Sequence, residues 1–264
     1  MQTPPNLFKQ ALLEKRPQIG YWLNLPNTLT GEIAAGAGFD WLLIDGEHTS
    51  HSLQSILYQL QALAAYPAVH PITRLPMGLG HVGEMLIKQY LDLGVQTLLV
   101  PMVDTAEQAA AIVRAARYPE ADGSGGIRGV AAGRAAPWGR RPGYCHEAND
   151  RLCVLVQAET RTAIGNLEAI AAVDGVDGIF IGPADLSASM GHRGEPGHPE
   201  MLALFESATR RIVATGKAAG TLAVDEAVAH RYLEWGATFV AVGLDTVSLA
   251  RETTRLAKVF KGQA

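Results

Sequence analysis

Short apolar runs alternate with amphipathic runs along nearly the whole chain, and this alternation constrains the fold more than any other feature. Each apolar run is hydrophobic nearly throughout, which is typical of parallel strands whose two faces are both buried. Because helical patterns stand between most of these strands, we predict an α/β fold of the (β/α)8 or TIM barrel type. The eight predicted strands are residues 18–25, 39–45, 70–75, 97–103, 152–159, 178–182, 218–223 and 238–243.

The segments between the strands carry helix signals at their ends. Thr30, Ser52 and Thr105 stand where a hydroxyl can cap the start of a helix, and Gly38 and Gly94 follow helical patterns. A doubly wound open sheet is the structural alternative. No Gly-x-Gly-x-x-Gly motif follows the first strand to support a dinucleotide-binding version of it. The last amphipathic run, 244–260, predicts a C-terminal helix.

The bulk composition narrows the class of protein. The chain has 264 residues, of which 48% are hydrophobic and 18% charged, so we expect a large core and a single domain over 1–264. The net charge of -4 argues against nucleic acid or an anionic membrane as a partner. The sequence has no signal-peptide or membrane-spanning pattern, and Cys145 and Cys153 have no metal or redox spacing, which predicts a cytoplasmic protein.

Polar residues collect where the predicted strands end. In a (β/α)8 barrel the catalytic groups lie at the carboxyl ends of the strands, so these residues are expected to share one rim. The set includes four carboxylates, one histidine and one arginine, which chance explains poorly. Its members are Trp22, Asn24, Asp45, Glu47, His48, Arg74, Gln157, Glu159 and Asp185.

Glu159 and Asp185 stand at the ends of neighbouring strands and predict a metal site. Two carboxylates without histidine or cysteine ligands suit a hard divalent cation such as Mg²⁺ or Mn²⁺. Each carboxylate alone could instead cap the helix or turn that follows it. The pair on adjacent strands favours the metal site.

Three further features of this rim have both a structural and a catalytic interpretation. His48 could be an ordinary surface histidine, but with Asp45 upstream and a metal across the rim it is a candidate general base. Arg74 could pair with a neighbouring carboxylate, stabilise a developing oxyanion, or do both. Backbone N–H groups in Gly182-Pro183-Ala184-Asp185 could bind a small carboxylate.

Lysine chemistry is disfavoured by position. A lysine that activates a carbonyl compound as a Schiff base on this fold would lie inside a strand or at its carboxyl end. The six lysines lie instead in terminal segments, in a helix or before the seventh strand, at Lys9, Lys15, Lys88, Lys217, Lys258 and Lys261.

Long motifs spread over the chain carry a family resemblance. They are AGAGFDWLLIDGEH, QTLLVPMV, GIRGV, VLVQAETR, VDGIFIGPADLSASMG and FVAVGLDT. Together they resemble the HpcH/HpaI aldolase family, especially its metal-dependent 4-hydroxy-2-oxoheptanedioate aldolases of aromatic catabolism. The resemblance implies a barrel assembled as a hexamer, a trimer of dimers, whose C-terminal helix is exchanged between subunits. It also implies reversible cleavage of that substrate to pyruvate and succinic semialdehyde without a Schiff base.

The resemblance also implies residue roles. Glu159 and Asp185 would bind the metal (Mg²⁺ or Mn²⁺, with Co²⁺ or Zn²⁺ possible), His48 would be the base and Arg74 would stabilise the enolate. The residues matching the substrate-binding positions are Trp22, Gln157, Gly182, Pro183, Ala184 and Asp185. Asp92 matches an acid that supports the histidine, although its predicted helix should end at the opposite face of the barrel. Asp45 is the simpler partner for His48, and both alternatives stay open.

Two segments depart from the family pattern. The stretch after Arg74, LPMGLGHVGEMLIKQ, is longer than usual, and EADGSG is inserted at 120–125 within a long Gly- and Arg-rich connection, 118–151. Both are expected near the aldehyde side of the pocket. Arg128, if it is more than a surface loop residue, would there meet a distal carboxylate of the substrate.

Several other functions share parts of this pattern. Aldolases of 2-keto-3-deoxy sugar acids, of the glucarate or rhamnonate type, are the nearest alternative. A relative that uses a coenzyme A thioester is disfavoured, since no basic patch for the nucleotide stands out. A non-catalytic ligand-binding barrel is the alternative from another class. In the favoured interpretation the partners are small-molecule 2-oxo acids and aldehydes, with further copies of the chain.

Overall fold

The strands close into an all-parallel barrel in which each strand pairs with the next and the last pairs with the first. A computed structural model describes residues 3–262 of the chain. This architecture confirms the predicted (β/α)8 barrel, while the single domain predicted over 1–264 extends at both ends beyond the described residues. The strands are β1 (Gln18–Leu23), β2 (Trp41–Asp45), β3 (His70–Arg74), β4 (Thr97–Val100), β5 (Cys153–Ala158), β6 (Gly178–Ile181), β7 (Ala218–Leu222) and β8 (Phe239–Leu244).

Helices follow most strands and run back along the outside of the barrel. Ser52 and Thr105 cap their helices as predicted, whereas the helix expected at Thr30 begins at Thr28 and is capped by Asn27. The helices in residues 3–262 are α1 (Leu7–Leu13), α2 (Thr28–Ala35), α3 (Leu53–Leu63), α4 (Gly80–Asp92), α5 (Ala106–Ala116), α6 (Tyr144–Arg151), α7 (Arg161–Gly165), α8 (Leu167–Ala171), α9 (Pro183–Ser189), α10 (Pro199–Ala214), α11 (Glu226–Glu234) and α12 (Asp245–Lys261).

Side chains alternate between two cores along each strand. In β2, Leu42 and Ile44 pack outward in the core that includes the helices, whereas Trp41 and Leu43 pack inward in the barrel. Since successive residues of a strand face opposite sides, Asp45 continues the inward row. The same alternation aims the last inward residues of the other strands into the barrel mouth.

Most strands end one to three residues earlier than predicted, and the difference is largest for β4. The run 97–103 was expected to be a single strand, but β4 ends at Val100. Pro101 has no N–H to donate to a ladder, and Met102 adopts a φ of 56°, outside the extended region. The apolar residues beyond Val100 therefore form a turn at the active end of the barrel.

The long connection 118–151 lies at the amino end of the barrel, between α5 and β5. It contains a 3-10 turn at Pro137–Gly139 and the helix α6, and it has a small core of its own formed by Tyr118, Ala136, Tyr144 and Ala148. This location differs from the expectation that the connection flanks the aldehyde side of the pocket. There the segment contacts the N-terminal residues and the end of α4, through Glu147 with the Thr3 N–H and Arg128 with Asp92.

The C-terminal helix α12 confirms the helix predicted over 244–260. Its side chains from Arg251 onward are exposed, and they include the large apolar residues Leu256, Val259 and Phe260. Across residues 3–262, none of the helices combines the length and the hydrophobicity needed to span a membrane.

Candidate active site

A cavity of about 180 Å³ opens at the carboxyl ends of the strands. It brings together most of the residues that the sequence predicted for the active site. Its lining is Trp22, Asn24, Asp45, His48, Arg74, Gln157, Glu159, Phe180, Gly182, Pro183, Ala184, Asp185, Leu222 and Leu244. A larger cavity of about 570 Å³ lies at the amino end of the barrel. The chemistry-bearing residues favour the smaller cavity as the active site.

Asp45 fixes Arg74 inside the barrel mouth. The Arg74 Nε and Nη2 atoms donate to Asp45 Oδ1 and Oδ2 at 2.8 and 2.6 Å, and Trp22 Nε1 donates to Oδ2 at 3.2 Å. Burial raises the pKa of Asp45, but the hydrogen bonds and charge of Arg74 outweigh it and hold that pKa below its usual value. Asp45 is therefore a carboxylate that orients the Arg74 guanidinium. Its oxygens do not contact His48.

Glu47 links Arg74 to His48. Its Oε2 atom lies 2.8 Å from Arg74 Nη1 and 3.8 Å from His48 Nε2. Burial raises the pKa of the Glu47 carboxyl above its ordinary value. The His48 side chain is 65% exposed, so it can reach a bound substrate or a second chain. Within residues 3–262 of one chain, Glu47 is the carboxylate within salt-bridge distance of His48, while the predicted choice between Asp45 and Asp92 as its supporting acid stays open.

Glu159 is held at both of its oxygens. Met102 donates its backbone N–H to Oε1 at 2.8 Å, and Gln157 Nε2 donates to Oε2 at 2.9 Å. The pKa of Glu159 is raised to about 7, mainly by burial; the Met102 hydrogen bond opposes this rise, and the nearby Asp185 and Glu47 carboxylates add to it. Gly182 makes this arrangement possible, because a Cβ there would lie 2.3 Å from Glu159 Oε2.

The oxygen atoms around Glu159 fit a hard divalent cation. Asp185, in the first turn of α9, presents a second carboxylate at the same cavity. The buried Oε1 atom of Gln157 has no hydrogen-bond partner among the described residues, so it is available as a third oxygen. A buried carboxylate with a raised pKa and an orphan amide oxygen both gain from a cation. These residues could hold Mg²⁺ or Mn²⁺.

Asp92 and Arg128 do not line this cavity. Arg128 Nη2 donates to Asp92 Oδ1 at 3.0 Å and to the Tyr144 hydroxyl at 3.1 Å, and its guanidinium lies 4.4 Å from the centre of the Tyr118 ring. Because α4 runs antiparallel to the strands, its last residue, Asp92, reaches the amino end of the barrel. Within one chain, Arg128 thus lies outside this cavity, and its predicted contact with a distal substrate carboxylate stays a prediction.

Sequence reasoning missed two contributions to the cavity. Leu222 and Leu244, at the ends of β7 and β8, form an apolar wall on the side that the sequence left featureless. The Met102 backbone N–H was also missed, since hydrogen bonds from a turn depend on backbone angles rather than residue type. The Pro101 that ends β4 was the available signal for that turn.

A second group of ligand-type side chains lies outside the cavity, at the start of α10. His192, His198 and Glu200 have potential ligand atoms within 4.8 Å of one another. These atoms already have partners, because His192 Nε2 lies 3.0 Å from Glu200 Oε2 and His198 Nδ1 accepts the Glu200 backbone N–H. The group therefore serves to begin α10 and is separate from the candidate active site.

Curated relatives match almost the whole chain. The chain is 56% identical over 260 residues to a 4-hydroxy-2-oxovalerate aldolase of Rhodococcus jostii, covering 98% of both chains. It is 59% identical over 261 residues to a hydroxypyruvate/pyruvate aldolase of Deinococcus radiodurans, covering 98% of this chain and 91% of the relative. It is 55% identical over 257 residues to a 4-hydroxy-2-oxo-heptane-1,7-dioate aldolase of Salmonella dublin, covering 97% and 94%.

A solved structure and a family match agree with these relatives. An HpcH/HpaI aldolase/citrate lyase family protein from Burkholderia cenocepacia superimposes with a TM-score of 0.91 at 37% identity, covering 97% of this chain and 99% of that one. Residues 18–251 of this chain match the sequence pattern of the HpcH/HpaI aldolase/citrate lyase family. The relatives carry aldolase names, so the protein is a carbon–carbon lyase that acts on small molecules. The chain belongs to the HpcH/HpaI aldolase/citrate lyase family.

Proposed function

We propose that this aldolase is metal-dependent and reversibly cleaves a 4-hydroxy-2-oxo acid to pyruvate and an aldehyde. The observation that carries the proposal is the buried Arg74 guanidinium, fixed by Asp45 and Glu47 in the same cavity as the Glu159 and Asp185 carboxylates. A divalent cation and the fixed Arg74 guanidinium would both stabilise the negative charge that develops on an enolate. No lysine of the described residues lines the cavity, which supports chemistry without a Schiff base.

The cation site consists of Glu159 and Asp185, with Gln157 Oε1 beside them. When bound, a divalent cation supplies a Lewis acid that polarises the 2-oxo acid. The pyruvate half of the substrate would lie over the turn formed by Gly182, Pro183 and Ala184, where backbone N–H groups at the start of α9 can bind its carboxylate.

His48 is the base in the proposed cleavage. It removes the proton of the C4 hydroxyl, the C3–C4 bond breaks, and the electrons of that bond pass to the pyruvate enolate while the aldehyde leaves. Arg74 stabilises the enolate oxygen, and protonation at C3 then gives pyruvate. The Glu47 carboxylate between Arg74 and His48 orients both side chains for these steps.

The aldehyde side of the cavity favours a short, uncharged aldehyde. Leu222, Leu244 and Trp22 form this wall, and the cationic residue among the described lining, Arg74, is already held by two carboxylates. Arg128, the predicted partner for a distal carboxylate, lies at the other end of the barrel. A 4-hydroxy-2-oxovalerate reaction, as in the name of the Rhodococcus relative, therefore fits the single chain better than a heptanedioate reaction, which stays the second candidate on the name of the Salmonella relative.

An aldehyde panel with pyruvate tests these substrates. We expect kcat/KM to be higher for acetaldehyde or propanal than for succinic semialdehyde, because the wall is apolar. A preference for succinic semialdehyde would favour the heptanedioate reaction, and a preference for glyceraldehyde would favour sugar-acid aldolases. If the protein failed to exchange the pyruvate methyl protons in the presence of Mg²⁺ or Mn²⁺, the result would favour the alternative of a non-catalytic ligand-binding barrel.

We also propose a homo-oligomer, a hexamer built as a trimer of dimers, in which α12 packs on a neighbouring subunit. The support is the exposed apolar surface of α12, where Phe260 is 82% exposed. A second copy is also the route by which Asp92 or Arg128 could approach His48. A solution mass equal to that of one chain would contradict this assembly. The cytoplasmic location stays a prediction from the sequence.

A further inference from the structure

Met102 combines an unusual backbone conformation with a hydrogen bond to Glu159. Its φ is 56°, a left-handed value that non-glycine residues rarely adopt, and its N–H donates to Glu159 Oε1 at 2.8 Å. Two other non-glycine residues within 3–262 have positive φ, and both lie away from the cavity. They are Lys15, just after α1, and Trp138, in the connection 118–151.

The side chain of Met102 does not explain this conformation. It is 47% exposed, so packing of the thioether does not hold the turn. Strained backbone persists where surrounding contacts determine it, and it clusters at functional sites. The contacts here are the N–H of Met102 on Glu159 and the N–H of Val103 on the Gln157 carbonyl at 3.1 Å. The turn thus joins the end of β4 to the end of β5.

These contacts leave Glu159 with one orientation. Met102 holds Oε1, Gln157 Nε2 holds Oε2, and Gly182 allows the close approach behind the carboxylate. A carboxylate oxygen that accepts one hydrogen bond keeps a second lone pair for a cation. Each Glu159 oxygen accepts one of the two hydrogen bonds, and Glu159 itself lines the cavity, so both oxygens can still accept a cation there.

We propose that Met102 is a positioning residue. Its left-handed backbone conformation, and not its thioether, orients the Glu159 carboxylate for the cation. The part of this proposal that concerns the cation rests on the proposed function. The effect of a substitution at position 102 on cation binding should therefore depend on how readily the new residue adopts a positive φ. Asparagine differs from methionine in chemistry, but it adopts a positive φ more readily. Isoleucine is similar to methionine in hydrophobicity, but it is strongly disfavoured at positive φ.

The first test is Mn²⁺ binding by the full-length protein without substrate. Met102→Asn is expected to keep the dissociation constant within about twofold of the wild type, whereas Met102→Ile should raise it roughly tenfold as the turn relaxes. The matched control uses Lys15, which has the same φ of 56° at the other end of the barrel. Lys15→Ile should alter thermal stability and leave Mn²⁺ affinity unchanged.

The second test is amide hydrogen exchange at residue 102 in the metal-free protein. We expect protection in the wild type and in Met102→Asn, and fast exchange in Met102→Ile and in Glu159→Ala, which removes the acceptor. This readout needs neither metal nor turnover. If the wild type bound no Mn²⁺ and cleaved no substrate, the proposed function would fail while the exchange pattern still tested the role of Met102.

Two results would overturn the inference. One is Mn²⁺ affinity that follows hydrophobicity, with Met102→Ile like the wild type and Met102→Asn weakened. The other is protection of the residue 102 amide that survives Glu159→Ala.

Discussion

Asp45 accepts two hydrogen bonds from the guanidinium of Arg74, and both side chains are buried at the mouth of the barrel. A paired fork of this kind restricts both the position and the rotation of the cation. Arg74 is thus held in place before any substrate arrives, and its third nitrogen is left for Glu47. The following predictions concern this pair and the groups around it.

Asp45→Asn should destabilise the protein. The substitution leaves the buried Arg74 with one charged partner, and breaking a buried pair lowers the free energy of unfolding by about 3 kcal/mol. Chemical denaturation measures this loss. Glu206→Gln is the matched control, because it breaks an exposed pair with Arg210 on α10 and should produce no measurable change. Equal losses in the two variants would contradict the structural role given to Asp45.

Arg74→Lys should lower activity with the fold retained. A lysine ammonium is a point charge that cannot bond Asp45 through two parallel N–H groups while it also faces Glu47. We expect kcat to fall by roughly 10²–10³, the loss typical of removing one group that stabilises an oxyanion. Initial rates of pyruvate release measure it. Arg211→Lys, at the exposed pair with Glu168, should leave the rates unchanged.

His48→Ala should lower kcat by roughly 10²–10⁴ without changing thermal stability, because the side chain is an exposed base. Glu47→Gln should cause a smaller loss. If Glu47 acts by orienting His48, the effects of the two substitutions will be far from additive in the double variant. His81→Ala, beside Glu84 on α4, is the control histidine and should be silent. Additive losses would show that Glu47 acts independently of His48.

Removal of divalent cations should abolish cleavage, and Glu159→Gln should do the same with Mn²⁺ present. In the metal-free protein, burial raises the pKa of Glu159 from 4.5 to about 7. Between these values the folded state binds more protons than the unfolded state, so stability should fall as pH rises. His70 contributes an opposite slope below pH 6.5 in both proteins, so the test is the difference between them: from pH 4.5 to 8 the slope of stability against pH should be more negative in the wild type than in Glu159→Gln. Full activity after exhaustive chelation would refute the cation.

His70 should make the protein sensitive to acid. Its ring stacks on Phe8, and burial lowers its pKa from 6.5 to about 4. Between these values the unfolded state binds more protons, so stability rises with pH and is lost as pH falls from 6.5 to 4. The loss is at most about 3 kcal/mol, and solvent contact of the ring reduces it. His70→Gln should flatten this part of the stability curve. A slope that the substitution does not change would assign the acid sensitivity to other groups.

The sequence predicted the parts of the site that strand alternation determines. Asp45, Arg74 and Gln157 each end an inward-facing row of a strand, so a barrel was enough to bring them together. The residues beyond the strands were harder, because loops have no such period. The partner of His48 and the Met102 hydrogen bond depend on turn geometry. Arg128 lies at the amino end of its own barrel, because it belongs to a helix-to-strand connection, so its predicted contact with a distal carboxylate stays a prediction that needs a second copy of the chain.

The cavity draws its two walls from different parts of the chain. The groups proposed for the pyruvate half come from β2, β3, β5 and β6, whereas Leu222 and Leu244 at the aldehyde side end β7 and β8. Substitutions at the ends of β7 and β8 can therefore change which aldehyde is accepted without altering the residues proposed to cleave the C3–C4 bond. A division of this kind would allow chains that share the same bond-cleaving residues to act on different aldehydes.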